Sequence, residues 1–175
     1  MSVRRTRLVA SVVGRSVDAV TRTVEHGTDG ADVVEVRIDG LANAGEADLR
    51  QLRDASDRPV ILTCRSRAEG GSFEGSESER LSLLERGARA GFDYIDVEIA
   101  ALEKAFPKGN AHLILSHHDF DGLPRDPGAL VEKALEMGAD VVKLAARVSS
   151  LDEAWTLASM GDAVQIGRAS CRERV

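Results

Sequence analysis

Short, β-branched apolar runs recur along the chain at regular intervals: residues 8–13 (LVASVV), 32–38 (DVVEVRI), 59–65 (PVILTCR), 93–99 (DYIDVEI), 112–118 (HLILSHH) and 140–145 (DVVKLA). Each has the length of a strand and is bounded by Gly, Pro or Asp. Between them lie amphipathic stretches over 16–27, 45–56, 76–91 and 126–138, and a further helical stretch covers 150–163. Several close on Gly, which adopts the left-handed helix-ending conformation at least cost. The pattern reads as a βα unit repeated six times.

Near-continuous apolar strands separated by helices predict a parallel sheet covered by helices. Two layouts fit, an open doubly wound sheet and a (β/α)8 TIM-type barrel. The Gly-rich phosphate turn of dinucleotide folds is missing after the first strand, where VVGRSVDA carries a lone Gly, so the barrel is favoured. A complete barrel takes about 250 residues and eight strands. Six of the eight βα units are visible here. The expected organisation is one partial barrel domain over 1–164, followed by a tail.

That tail, 165–175, has neither strand nor helix period and ends in an Arg cluster. It resembles translated sequencing-adapter DNA and is read as an artefact, outside the fold. With two βα units missing, the first and sixth strands are expected to keep unpaired edges, and the chain to be poorly active and marginally stable.

The 175 residues are 43% apolar and 30% charged, enough for one core and too few for two comfortable domains. A net charge of −6 with six aromatic residues argues against a nucleic-acid partner. No apolar run approaches the ~20 residues of a membrane span. The basic start is followed by too short an apolar stretch for a signal peptide, and the expected location is the cytoplasm. Cys64 and Cys171 have no ligand spacing, so neither a metal site nor a disulfide framework is indicated.

Ionisable residues inside the strands change the picture most. Glu35 and Arg37 stand two apart and so share a face, with Asp39 at the exit. Arg65 ends the third strand, Asp96 and Glu98 share a face of the fourth, His117, His118 and Asp119 end the fifth, and Lys143 lies within the sixth. In a barrel the C-terminal strand ends converge on one mouth, where these groups would meet. A single ion pair at a strand end is more often structural, but five successive strands repeating the placement point to function.

Of four lysines, only Lys143 is flanked on both sides by strand hydrophobes. Burial would lower its pKa from ~10.4 and leave a neutral amine able to attack a carbonyl. The bland alternative is a lysine paired with Asp96 or Glu98. Alternation lets one of the two adjacent histidines point inward. His118 is the candidate general base and acid, and His117 is expected to face the helix layer or solvent. Nothing marks His26 or His112 as more than surface residues.

EVRID (35–39), PVILTCRSRAEGG (59–71), DYIDVE (93–98), SHHDF (116–120) and DVVKLA (140–145), in this order and spacing, resemble the type I 3-dehydroquinate dehydratases of the shikimate pathway. The similarity runs from about Leu8 to Ala163, some three quarters of a family barrel. It implies a cofactor-free and metal-free conversion of 3-dehydroquinate to 3-dehydroshikimate and water, through an imine on Lys143. His118 would move the protons and Glu69 would orient it. Ser11, Glu35, Arg37 and Arg65 would contact the substrate, with Asp39, Asp96 and Glu98 in the surrounding network. The family also implies a homodimer. Its carboxylate-binding arginine and lid residues follow strands seven and eight and have no counterpart here. Two other readings stay open: a class I aldolase-like Schiff-base barrel, and a non-catalytic fragment.

Overall fold

The structure, a computed structural model, describes residues 6–41 and 44–163, with side chains described as far as Met160. Six strands, β1 (Val9–Val13), β2 (Val33–Arg37), β3 (Val60–Thr63), β4 (Tyr94–Glu98), β5 (His112–Asp119) and β6 (Val141–Ala146), match the predicted runs to within a residue or two. All are parallel, in the order β1-β2-β3-β4-β5-β6. A doubly wound sheet would reverse direction from its first strand, so this unbroken order selects the barrel type over the open alternative. Among the described residues β1 and β6 are the outer strands. The 165–175 segment lies outside the described residues.

The described residues form five α-helices, α1 (Val17–Gly27), α2 (Glu46–Asp54), α3 (Glu77–Ala90), α4 (Pro127–Glu136) and α5 (Leu151–Ala163), of which the first four bury residues in the core over the sheet. Their starts follow from local chemistry. Ser76 and Glu79 form a reciprocal capping box at α3, and Asp126 caps α4 with Pro127 at the first helical position. The βα repeat is corrected at one place. Between β4 and β5 there is no α-helix, only a 3₁₀ turn at Ile99–Ala101. The stretch after it carries Pro107 and Gly109, the latter at φ +57°, and has no helical apolar period.

Alternation along each strand divides the side chains into two sets. Val34, Val36, Leu62, Ile95, Val97, Leu113, Leu115 and Val142 point to the helices and form the main core with Val20, Leu49, Leu52, Leu84 and Val131. The opposite set starts with a small apolar floor of Val33, Ile61 and Ile114, bordered by Val9, Tyr94 and Val141. The next residues on that face are Ser11, Glu35, Thr63, Asp96, Ser116 and Lys143, with Ser11 in register with Glu35, Thr63 with Asp96 and Ser116 with Lys143, while Glu35 and Asp96 stand beside Ile61 and Ile114 of the floor. Charges therefore begin at the edge of an apolar plug.

Candidate active site

β2 and β6 lie four strands apart, about 19 Å in a flat sheet. Yet Lys143 Nζ on β6 donates to Glu35 Oε1 on β2 at 2.9 Å. The sheet is thus rolled into a trough, and its inward residues face one another as in a barrel. Lys143 Nζ also donates to Asp96 Oδ2 at 3.1 Å. Thr63 Oγ1 donates to the same Glu35 oxygen at 2.8 Å, and Ser11 stands opposite Glu35 in register.

Asp96 is the anionic centre. Besides Lys143, it accepts from Arg65 Nη2 at 2.9 Å and from Ser116 Oγ at 2.5 Å. Burial raises its pKa, but Lys143, Arg65 and the Ser116 hydroxyl outweigh that and hold it well below the usual carboxylate range. Glu35 follows the same pattern, burial opposing its charge and Lys143 lowering its pKa.

Lys143 corrects an expectation. Burial does favour its neutral form, but the carboxylates of Asp96 and Glu35 prevail and hold its pKa above the ordinary lysine value. In the ligand-free protein it is an ammonium. The ion-pair alternative is realised in part, with Asp96 and Glu35 as partners.

Arg65 reaches further, donating from Nη1 to Ser116 Oγ at 2.8 Å and Glu98 Oε1 at 3.3 Å and lying 3.6 Å from Glu69. Glu69 ends a 3₁₀ turn, Arg67–Glu69, closed by Gly70 at φ +78°. Its Oε2 accepts the backbone N–H of His118 at 3.1 Å and sits 2.9 Å from His118 Nδ1. A carboxylate on Nδ1 fixes the ring and leaves Nε2 for the mouth.

His117 also comes near this carboxylate. Its Nδ1 lies 3.6 Å from Glu69 Oε1, so Glu69 stands between both histidines. β5 pairs with β4 only as far as Ser116, and beyond that point the Glu69 turn replaces the neighbouring strand. β5 nevertheless stays paired with β6 through Asp119, which sets His117 beside Leu144, packed on the main core, and His118 beside Ala145.

Arg37 is gripped by Asp39 through two hydrogen bonds, 3.1 and 2.9 Å, and Asp39 also accepts the backbone N–H groups of Arg65 and Ser72. Asp39 is thereby a tie between three segments of the mouth. Sequence reasoning missed Thr63, Ser116 and Arg80. Arg80, 1% exposed on α3, pairs with Glu98 at 3.2 Å and Glu77, and donates to the Cys64 carbonyl at 2.7 Å. The signal existed, since Arg80 sits on the apolar stripe shared by Leu83, Leu84 and Gly87. Cys64 beneath it is inert, its thiol pushed up to about 12 by burial and then by nearby carboxylates. Among the described residues no group of His, Cys, Asp and Glu is arranged to hold a metal ion.

Residues 8–167 match the sequence model of the Type I 3-dehydroquinase family. The chain belongs to that family. It is 36% identical over 152 residues to the 3-dehydroquinate dehydratase of Methanothrix thermoacetophila, covering 86% of this chain and 65% of the relative. It is 38% identical to that of Methanothermobacter thermautotrophicus, covering 83% and 68%. The crystal structure of 3-dehydroquinate dehydratase from Geobacillus kaustophilus HTA426 superposes with a TM-score of 0.82 at 28% identity, over 91% of this chain and 68% of that one. The chain thus spans about two thirds of the length of these relatives. No described helix of this 3-dehydroquinase family member is long and apolar enough to cross a membrane.

Proposed function

We propose that the protein acts as a 3-dehydroquinate dehydratase, a hydro-lyase of the shikimate pathway, with Lys143 as the amine that forms an imine with the substrate ketone. One observation carries this reading: the Lys143 ammonium, caged by Glu35 and Asp96, projects from the same trough face as His118, whose Nδ1 is anchored on Glu69. An ion-pair network built for stability alone has no use for an anchored imidazole beside it.

The proposed chemistry follows from the groups present. Imine formation converts the ketone carbon into an electron sink and acidifies the adjacent carbon. His118 removes a proton there and returns one to the departing hydroxyl, so that water leaves. Hydrolysis of the imine then frees Lys143. Ser11, Glu35, Arg37 and Arg65 are proposed as substrate contacts. Asp39 and Glu98 hold them in place. A cytoplasmic setting and a homodimer belong to the same proposal and rest on the family resemblance. Sedimentation of the full-length protein tests the dimer.

The decisive experiment adds borohydride and 3-dehydroquinate to the full-length protein. The expected result is an irreversible gain of ligand mass confined to Lys143 and absent from Lys143→Met. A wild-type protein that turns over substrate without acquiring that mass would reject the reading. Carbon–carbon cleavage in place of dehydration would favour an aldolase instead.

A further inference from the structure

An ammonium cannot attack a carbonyl, so the charged state of Lys143 raises a question that imine chemistry alone leaves open: where its proton goes. Two carboxylates touch Nζ, Glu35 from β2 and Asp96 from β4. The other groups around it are Arg65 and Thr63 from β3, Ser11 from β1, and Ser116 and His118 from β5. On β6 itself the inward neighbours Val141 and Ala145 carry no charge. Asp96 is committed twice over. Its Oδ2 serves both Lys143 and Arg65, and its Oδ1 takes the Ser116 hydroxyl at 2.5 Å. Protonating it would weaken two buried cations at once, taking the carboxylate that Arg65 Nη2 holds at 2.9 Å and leaving that guanidinium to the more distant Glu98 and Glu69 at 3.3 and 3.6 Å. Within hydrogen-bond distance Glu35 has one cation, at 2.9 Å on Oε1, and otherwise hydroxyl partners, Thr63 at 2.8 Å on that oxygen and Ser11, with Arg37 and Arg65 acting on it only through space. It can take a proton and strand no second charge.

We propose that Glu35 is the proton shuttle of imine formation, taking a proton from the Lys143 ammonium and delivering it to the oxygen that leaves as water, while Asp96 remains a fixed anion. The inference rests on the reading of Lys143 as the imine-forming amine. The step balances. An N–H bond of the ammonium breaks and an O–H bond forms on Glu35. The freed lone pair forms the N–C bond as the carbonyl π pair moves to oxygen. The second amine proton moves to that oxygen to give the carbinolamine, Glu35 protonates the hydroxyl, and the C–O bond breaks. The sum is one ammonium and one ketone giving one protonated imine and one water. The positive charge begins and ends on nitrogen between the same two carboxylates, and no proton is drawn from solvent.

The alternative, that Glu35 is only a counter-ion, predicts the opposite sign. Removing one anion beside Nζ would favour the free amine and speed attack. The test is the rate at which borohydride-trappable imine accumulates in a single turnover of the full-length protein at pH 7 and saturating 3-dehydroquinate. Glu35→Gln is expected to slow it roughly 10²-fold, and acetate is expected to accelerate Glu35→Ala. A Glu35→Gln protein that forms imine as fast as wild type or faster overturns the proposal. So does one whose half-saturating concentration alone rises, and so does a slowed Glu35→Ala that acetate leaves unchanged. If wild type itself gives no adduct at Lys143, the functional reading has failed, an outcome separable from a wild-type adduct whose formation ignores Glu35.

Discussion

Replacing Arg80 by methionine keeps most of the side-chain volume in the apolar stripe of α3 and removes the guanidinium that meets Glu98. Breaking a buried pair from one side costs about 3–5 kcal/mol, because the surviving charge is left uncompensated. Two features place this case near the lower end. Glu98 Oε1 keeps Arg65 Nη1 at 3.3 Å and the Ser66 N–H at 2.8 Å, and Glu77, about half exposed, relaxes into water. The expected loss is about 3 kcal/mol, which lowers a urea midpoint by roughly 1.5 M at an m value of ~2 kcal/mol/M. Urea unfolding of wild type, Arg80→Met, Glu98→Gln and the double variant completes a double-mutant cycle, with an expected coupling of about 2 kcal/mol. A midpoint shift below ~0.5 M, or no coupling, would refute the reading of Arg80 and Glu98 as a buried pair that stabilises the fold.

Three further outcomes test other parts. His118→Ala in the full-length protein is expected to lower kcat by about 10²–10⁴-fold while borohydride still traps the imine at Lys143; loss of trapping would move His118 into the imine step. Because folding lowers the Asp96 pKa, its contribution is fully present above the unfolded carboxylate value of ~3.9 and is lost as pH falls toward the lower folded value. The stability gap between wild type and Asp96→Asn, followed by thermal unfolding, should therefore narrow only below about pH 4, and a gap that does not vary with pH would contradict this. A Cβ at Gly87 would lie 2.0 Å from Leu62 Cδ2, so Gly87→Ala is expected to cost about 2 kcal/mol despite the gain in helix propensity, and an unchanged urea midpoint would count against this packing.

The strands were legible because parallel strands covered on both faces are written as uninterrupted apolar runs, and each inward charge stood out against that background. The pairings were not. Glu35 and Lys143 are 108 residues apart, and their contact depends on how far the sheet is rolled, which no local pattern encodes. The charge state of Lys143 was misjudged for the same reason: the sequence announces burial but not the two carboxylates that burial brings within 3.1 Å. Arg80 was overlooked because a basic residue in a helix reads as surface until its position on the apolar stripe is counted. The approach of His117 to Glu69 was not legible because it depends on where the Arg67–Glu69 turn docks beside the end of β5.

Stability and chemistry make opposite demands on the Lys143–Glu35 pair, and that opposition can be measured. Buried ion pairs are often matched or bettered by hydrophobic groups of similar size, since the desolvation cost of two charges disappears with them. Here the surroundings tolerate the exchange. Asp96 would keep Arg65 and Ser116, the apolar floor of Val33, Ile61 and Ile114 adjoins Glu35, and the chief loss would be the Thr63 hydroxyl's acceptor. Lys143→Met or Glu35→Leu alone is expected to cost about 2 kcal/mol, less than a fully buried pair because the Lys143 side chain is 23% exposed. The double variant is expected to unfold at the urea midpoint of wild type or above it, and to form no imine. A double variant more than ~2 kcal/mol less stable than wild type would mean that the pair holds the trough together. The lysine would then have a structural reason to exist, and the argument that such a costly charge is kept for its chemistry would lose its force.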